Sequence, residues 1–261
     1  MHMLEKVVEI VKQASALMDA DHFDIMEKGS IENIVTSSDL AVQHYLTERL
    51  SELLPGCGFF CEEEDLQSSQ EEFVWIIDPI DGTANFSRHI DHCCISVALA
   101  RCGVLQLGVV WSPWRNELYT AELGKGAMLN GRPIQVSPRS FEQGLFCTAM
   151  STYRKEWAKS CSDIIYEVYM QSNDTRRFGS AAIELCMMAA GFIELYFEMR
   201  LQPWDYSAAM LILSEAGGCV LSFDGQAPSL NRQSLVIAAN SEASAKRILE
   251  IVRKHLRELP Y

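Results

Sequence analysis

The chain has 261 residues, 48% of them hydrophobic and 22% charged. That is enough for one large domain or two packed subdomains, each with its own core, and it argues against disorder. Lys and Arg number 22 against 35 Asp and Glu, a formal net charge of −13; so acidic a surface repels nucleic acid and anionic membranes, and neither is expected as a partner.

Residues 3–20 read as an amphipathic helix with Leu4, Val7, Val8, Val11, Ala14 and Met18 on one face, not as a signal peptide. A second helix is predicted from Ser38 through Leu54, stopped by Pro55-Gly56. Phe73 to Ile77 is a continuous apolar run that ends at Asp78-Pro79, a buried strand delivering an acidic residue. Cys94–Ala100, Leu105–Trp111 and Leu118–Glu122 are further strands, and Asn130-Gly131 is a turn. A boundary is expected near Ser137-Pro138-Arg139-Ser140, dividing 1–140 from 141–261. Beyond it come a strand over 145–150, a helix over 154–171 and a helix that starts at Gly179. A strand at 193–197, a helix at 206–216, strands at 219–222 and 234–239 and a helix over 242–258 complete the chain. This order implies a mixed α/β fold with two α/β layers in tandem. No run of about 18 apolar residues occurs, so no membrane span is expected. Nine cysteines, an odd number with no C-x-x-C pair, fit free thiols in a reducing cytoplasm.

The strongest chemical signal is Asp78-Pro79-Ile80-Asp81-Gly82-Thr83-Ala84-Asn85-Phe86. Two carboxylates directly follow a buried strand. Gly82 allows close backbone approach, and the N–H groups of Gly82 and Thr83 can form an anion site. One short segment can thus hold hard cations beside a phosphate. A surface turn is the plain alternative for the D-x-x-D-G fragment alone. Glu62-Glu63-Glu64-Asp65 follows an apolar lead-in, where a solvated acidic loop is the plain alternative. Asp205, after Trp204, stands at a helix start and reads equally as an N-cap. Asp39, with Lys28 upstream, either caps the second helix or orients a catalytic group. Carboxylates without His or Cys favour Mg²⁺, Mn²⁺ or Ca²⁺. His89-Ile90-Asp91-His92 lacks a thiolate or a helical partner pair, which argues against a transition-metal site.

Taken together, DPIDGTANF at 78–86 and WDYSAA with EAGG downstream resemble the two signature motifs of the inositol monophosphatase family. Lys28, VTSSD at 35–39, Glu62-Glu63, FGSAA at 178–182 and YFE at 196–198 fall in the same order, so the similarity spans nearly the whole chain. The resemblance implies a layered αβαβα sandwich of two subdomains, of sugar-phosphatase type. The first would carry most metal ligands, the second Asp205 and the substrate contacts. It implies hydrolysis of a small phosphate monoester by metal-activated water, with two or three Mg²⁺ per site. Glu62, Asp78 and the Ile80 carbonyl would hold one ion, and Asp78, Asp81 and Asp205 another. Glu62 would help hold a third. Thr83, paired with Asp39, would orient the nucleophilic water, and the Gly82 and Thr83 N–H groups would bind phosphate. Glu198 and Gly179-Ser180-Ala181 would contact the alcohol. Cys61 stands where a glycine often precedes the Glu pair, so both Glu62 and Glu63 stay open as the ligand. Family members are typically dimers and often lithium-inhibited. Inositol monophosphate is the first expected substrate. Fructose 1,6-bisphosphate, phosphoadenosine phosphate and NADP are alternatives, and a non-catalytic metal-binding homologue is a further one. A bisphosphate would call for a second basic pocket, and the sequence offers only Arg176-Arg177.

Overall fold

The computed structural model describes residues 2–19, 21–30, 33–63, 71–150 and 154–259. Glu64 and Asp65 of the acidic run lie outside the described residues. Helix α1 (Met3–Ala14) buries Val7, Val11 and Ala14. It ends earlier than expected, because the chain tightens into a 3-10 turn over Ser15–Leu17. An unexpected antiparallel hairpin follows, β1 (Ile25–Ser30) and β2 (Asn33–Thr36). Helix α2 (Ser37–Leu53) then packs Val42, Leu46 and Leu50 into the same cluster as the α1 stripe.

Seven strands form the first sheet: β3 (Gly58–Cys61), β4 (Phe73–Asp81), β5 (Cys94–Arg101), β6 (Val104–Ser112), β7 (Glu117–Glu122), β8 (Ala127–Leu129) and β9 (Arg132–Ile134). They lie in chain order, and only the β3–β4 pair is parallel. A helical turn, α3 (Thr83–Phe86), sits between β4 and β5. The strand period of two sends Trp75 and Ile77 to the side of α1 and α2, and Ile76 to the opposite side. Both faces are covered, which is why Phe73 to Ile77 is apolar without a break.

The second sheet is assembled from β10 (Leu145–Thr148), β11 (Asp174–Arg176), β12 (Leu195–Leu201), β13 (Cys219–Leu221) and β14 (Ser234–Ala239), in the order β11-β10-β12-β14-β13. Helices α4 (Ala158–Tyr169) and α7 (Glu242–His255) cover one face, where Phe146, Phe197 and Ile237 meet Ile164 and Ile248. Helices α5 (Ala181–Ala189) and α6 (Pro203–Glu215) lie between the two sheets and share one core with both. The layers are therefore α, β, α, β, α, as the resemblance implied.

Several boundaries differ from the sequence reading. Strand β12 runs on to Leu201 because Met199 and Leu201 are buried beyond the charged Glu198. Helix α6 starts at Pro203, three residues early, since proline fits the first helical position, where no N–H is needed. Helix α5 starts at Ala181, with Ser180 as N-cap, not at Gly179. Helix α4 begins at Ala158 after a 3-10 turn at Lys155–Trp157. All nine cysteines are free thiols, six of them buried. No helix of the described residues is long and apolar enough to cross a membrane.

One close approach fixes α6 on the first sheet. A Cβ at Gly108 of β6 would lie 2.6 Å from the Ala208 carbonyl oxygen. Glycine there lets strand and helix backbones touch. Ser96 of β5 adds a hydrogen bond from its hydroxyl to the Trp204 carbonyl, at 3.3 Å. These contacts hold the N-terminus of α6 beside the end of β4.

Candidate active site

The site begins with an irregularity in β4. Asp78 pairs with Ser96 and Asp81 with Cys94, so three steps on β4 oppose two on β5. One extra residue makes a bulge at Pro79-Ile80, where proline is tolerated. The sequence reading ended the strand at Ile77 and gave Pro79 to a turn; the strand in fact continues to Asp81. The bulge has a chemical consequence. Residues three apart on a regular strand face opposite sides. With one residue bulged, Asp78 and Asp81 both line a single cavity of about 640 Å³.

Gly82 then caps α3 in the left-handed region, at φ 95°. A Cβ there would lie 2.9 Å from the His92 carbonyl oxygen. The Thr83 hydroxyl reaches the Ile80 carbonyl at 3.0 Å and Asp39 Oδ1 at 3.2 Å. It has one proton, so it donates to one of them at a time. Asp39 is not the cap of α2. Thr36 is, and Asp39 closes a capping box at the third helical position, with its Oδ2 accepting from the Thr36 N–H at 2.7 Å. Its other oxygen faces the Thr83 hydroxyl. Burial pushes its carboxyl up to about 6, against the Thr36 hydrogen bonds.

The two glutamates at the end of β3 separate. Glu62 lines the cavity. Glu63 is buried, its N–H donating to Gln43 Oε1 at 3.0 Å and its carboxylate contacting Lys28 Nζ. Burial, then the charge of Glu62, pushes Glu63 up to about 7. Lys28 Nζ is also 3.4 Å from Glu62 Oε1, so one cation serves both.

Asp205 is the third residue of α6, one turn in from the expected N-cap, and its Oδ2 accepts from the Gln202 N–H at 2.7 Å. Asp81 Oδ2 accepts from the Ser180 hydroxyl at 2.6 Å and the Ala182 N–H at 2.7 Å, binding the first sheet to the start of α5. Asp78 is 1% exposed, and its Oδ1 has no hydrogen-bond partner among the described residues. Burial first, then the charges of Glu62, Asp81 and Asp205, hold the Asp78 carboxyl well above the usual range. Asp205 is raised by burial and then by Asp81. Burial also pushes Asp81 to about 6.

Gly179, Ser180, Ala181 and Glu198 line the same cavity. Glu198 Oε2 accepts from the Tyr196 hydroxyl at 2.7 Å, and burial pushes its carboxyl to about 7. Asn85 uses both hydrogens of its amide, donating to the carbonyls of His92 (2.8 Å) and Phe178 (2.7 Å). The His92 ring stacks on Phe178 at 4.8 Å. Neither His89 nor His92 is among the cavity's lining residues.

Two charged lining residues escaped the sequence reading. Arg200 follows Glu198 by two positions on β12, and strand alternation was the available signal. Glu184 lies inside the apolar run of α5, where a lone carboxylate needs a reason. Its Oε1 accepts from the N–H groups of Phe178 (2.6 Å) and Gly179 (3.0 Å), shaping the loop at the cavity wall. Burial, then Glu198, pushes Glu184 up to about 8. A raised carboxyl binds its proton more tightly in the folded state, so its contribution is lost as pH climbs from about 4.5 through about 8. Glu184→Gln keeps an acceptor for both N–H groups and removes the ionisation. It is expected to flatten the decline in thermal stability between pH 6 and 9, by roughly 1 kcal/mol or more at the alkaline end. An unchanged pH profile in the variant would contradict this role.

An oxygen-only donor set with an orphaned carboxylate oxygen at its centre suits a hard divalent cation. Among the described residues, no three acidic, His or Cys side chains are already gathered closely enough to hold a metal ion by themselves. Mg²⁺ does not require one, since it is commonly held by one or two carboxylates with water and substrate phosphate completing the shell.

Comparison with known proteins gives a consistent result. Residues 1–257 match the model of the inositol monophosphatase family. The chain is similar to the Nus factor SuhB of Vibrio cholerae, 35% identical over 244 residues, which cover 93% of this chain and 90% of that protein. Among solved structures it is similar to the extragenic suppressor protein suhB of Bartonella henselae, with TM-score 0.88, 28% identity and coverage of 97% and 98%. An inositol monophosphatase of Thermotoga maritima matches with TM-score 0.87, 28% identity and coverage of 99% and 100%.

Proposed function

The chain belongs to the inositol monophosphatase family, and from that premise we propose that it is a magnesium-dependent hydrolase of small phosphate monoesters. The observation that carries the reading is the convergence of Glu62, Asp78, Asp81 and Asp205, from the end of β3, from β4 and from α6, on one cavity beside Gly82 and Thr83. Glu62, Asp78 and the Ile80 carbonyl would hold one Mg²⁺. Asp78, Asp81 and Asp205 would hold a second, and Glu62 would help hold a third. Bound there, the ions supply charge neutralisation of the phosphate and acidification of water.

The chain's own groups do the rest. The Gly82 and Thr83 N–H groups bind phosphate oxygens. Thr83 Oγ1 accepts a proton from the attacking water while passing its own to Asp39 Oδ1. A carboxyl near 6 is well placed to take it at neutral pH. Glu63 holds Lys28, which in turn steadies Glu62. Gly179, Ser180, Ala181 and Glu198 face the alcohol.

Inositol monophosphate is the first substrate to test. Phosphate release in Mg²⁺ from inositol 1-phosphate, fructose 1,6-bisphosphate, phosphoadenosine phosphate and NADP ranks the candidates. Release from at least one ester is expected; a folded protein that releases phosphate from none contradicts the reading. A second reading rests on the V. cholerae relative, a Nus factor by name. Such a role would run through protein contacts, since a net charge of −13 disfavours direct contact with nucleic acid. It would survive Asp81→Asn, which hydrolysis would not.

A further inference from the structure

Besides its acidic residues the cavity is lined by two arginines. Arg177 and Arg200 both line it, with Glu198. Arg177 precedes the Phe178-Gly179 loop, and its charge acts on Glu198. Arg200 lies at a bulge in β12. Glu198 pairs with Val236 and Leu201 with Ser234, so one residue is extra. The bulge leaves Arg200 and Leu201 both on the side of α5 and α6, where both line the cavity.

The environment of Arg200 is unusual for a half-buried cation. Its Nε donates to the neutral Gln233 Oε1, and among the described residues no carboxylate forms an ion pair with it. A partly desolvated charge normally has an ionic partner. The neutral amide orients the guanidinium plane and leaves its other N–H groups available. That planar fork matches the oxygens of a phosphate or carboxylate. A monoester of a neutral polyol offers Arg200 only neutral hydroxyl acceptors, without the charge assistance that an anionic oxygen pair gives.

We propose that Arg200 reads a second anionic oxygen group on the alcohol part of the substrate, so that the cavity prefers phosphate esters carrying two anionic groups. This rests on the reading of the cavity as a phosphatase site. It adds a basic residue to the cavity that the sequence did not reveal. Arg200 is a specificity residue; the acidic cluster is not altered by it.

The test compares kcat/KM for fructose 1,6-bisphosphate and 3-phosphoglycerate with that for inositol 1-phosphate, in the wild type, Arg200→Met and Arg200→Lys. The wild type is expected to favour at least one of the two doubly anionic esters. Whichever it favours identifies the second group as phosphate or carboxylate. In Arg200→Met that selectivity ratio falls by about 10- to 100-fold, mostly through KM, as expected for loss of a charge-assisted bidentate contact. Arg200→Lys retains part of it, which a purely structural role would not predict. A wild type that favours inositol 1-phosphate over both esters overturns the proposal, as does an equal loss on all esters in Arg200→Met. If no ester is hydrolysed, the phosphatase reading fails separately. Calorimetric titration of fructose 1,6-bisphosphate into the Ca²⁺-loaded protein then decides the inference: weaker binding by Arg200→Met supports it, and equal binding overturns it.

Discussion

Asp78→Asn is expected to lower kcat/KM for a phosphate ester by about 10³-fold or more, the scale of losing metal-borne charge stabilisation. The same change leaves the metal-free protein at least as stable as the wild type. Both effects follow from one side chain. Asp78 is assigned to both ions, so its neutral isostere weakens both. Yet in the absence of metal its charge is a liability: it is buried, its Oδ1 is unpartnered among the described residues, and Glu62, Asp81 and Asp205 repel it. A carboxyl raised in the folded state contributes stability at low pH and loses it as pH rises through its folded pKa. Asparagine removes that loss and can donate to the neighbouring carboxylates. Thermal melts in EDTA at pH 7.5, beside steady-state kinetics in Mg²⁺, read both arms. Wild-type activity in the variant would remove Asp78 from the metal site, and collapse of the fold in EDTA would give it a structural role instead.

Saturating Mg²⁺ is expected to raise the melting temperature by roughly 5–10 °C at pH 8, and by much less at pH 5. An ion present at about 100 times its Kd adds about 2.7 kcal/mol. For a chain of this size each kcal/mol moves the midpoint by about 2–4 °C. The pH dependence comes from the cluster. Asp39 and Asp81 are pushed to about 6 and Glu198 to about 7, chiefly by burial. Without metal these groups cost stability as pH rises from about 4 to about 8, since the folded state holds the extra protons. Metal binds the deprotonated ligands, so its effect grows across the same window. A shift larger at pH 5 than at pH 8, or none at either, would contradict the assignment. Scanning fluorimetry with and without Mg²⁺ is sufficient.

The parts of the site that lie in one contiguous string were legible in the sequence. Asp78 through Phe86 carries two carboxylates, a glycine turn and the hydroxyl of Thr83 within nine positions. The apolar run before it announced a strand covered on both faces. The bulge at Pro79-Ile80 was not legible, because register against β5 is a property of two strands, not one. The β1–β2 hairpin was missed because Ile25 to Ser30 has no alternation of apolar and polar residues to signal a strand. Asp205 was recognisable beside Trp204, but its place at the third position of α6 depended on Pro203 opening the helix. Glu184 and Arg200 drew no notice since their partners, Phe178, Gly179 and Gln233, meet them only through tertiary packing. That Glu62 lines the cavity while Glu63 lies buried against Lys28, with its backbone N–H on Gln43 of α2, likewise depends on tertiary packing.

The central claim is that the acidic cavity works through Mg²⁺ on a phosphate monoester. It is tested most directly by following phosphate release from inositol 1-phosphate and fructose 1,6-bisphosphate while Mg²⁺ is titrated in, chelated and restored. The account predicts release that rises with Mg²⁺, stops in EDTA and returns when the ion is restored. Release that is indifferent to EDTA, or absent at every Mg²⁺ concentration from folded protein, would contradict it.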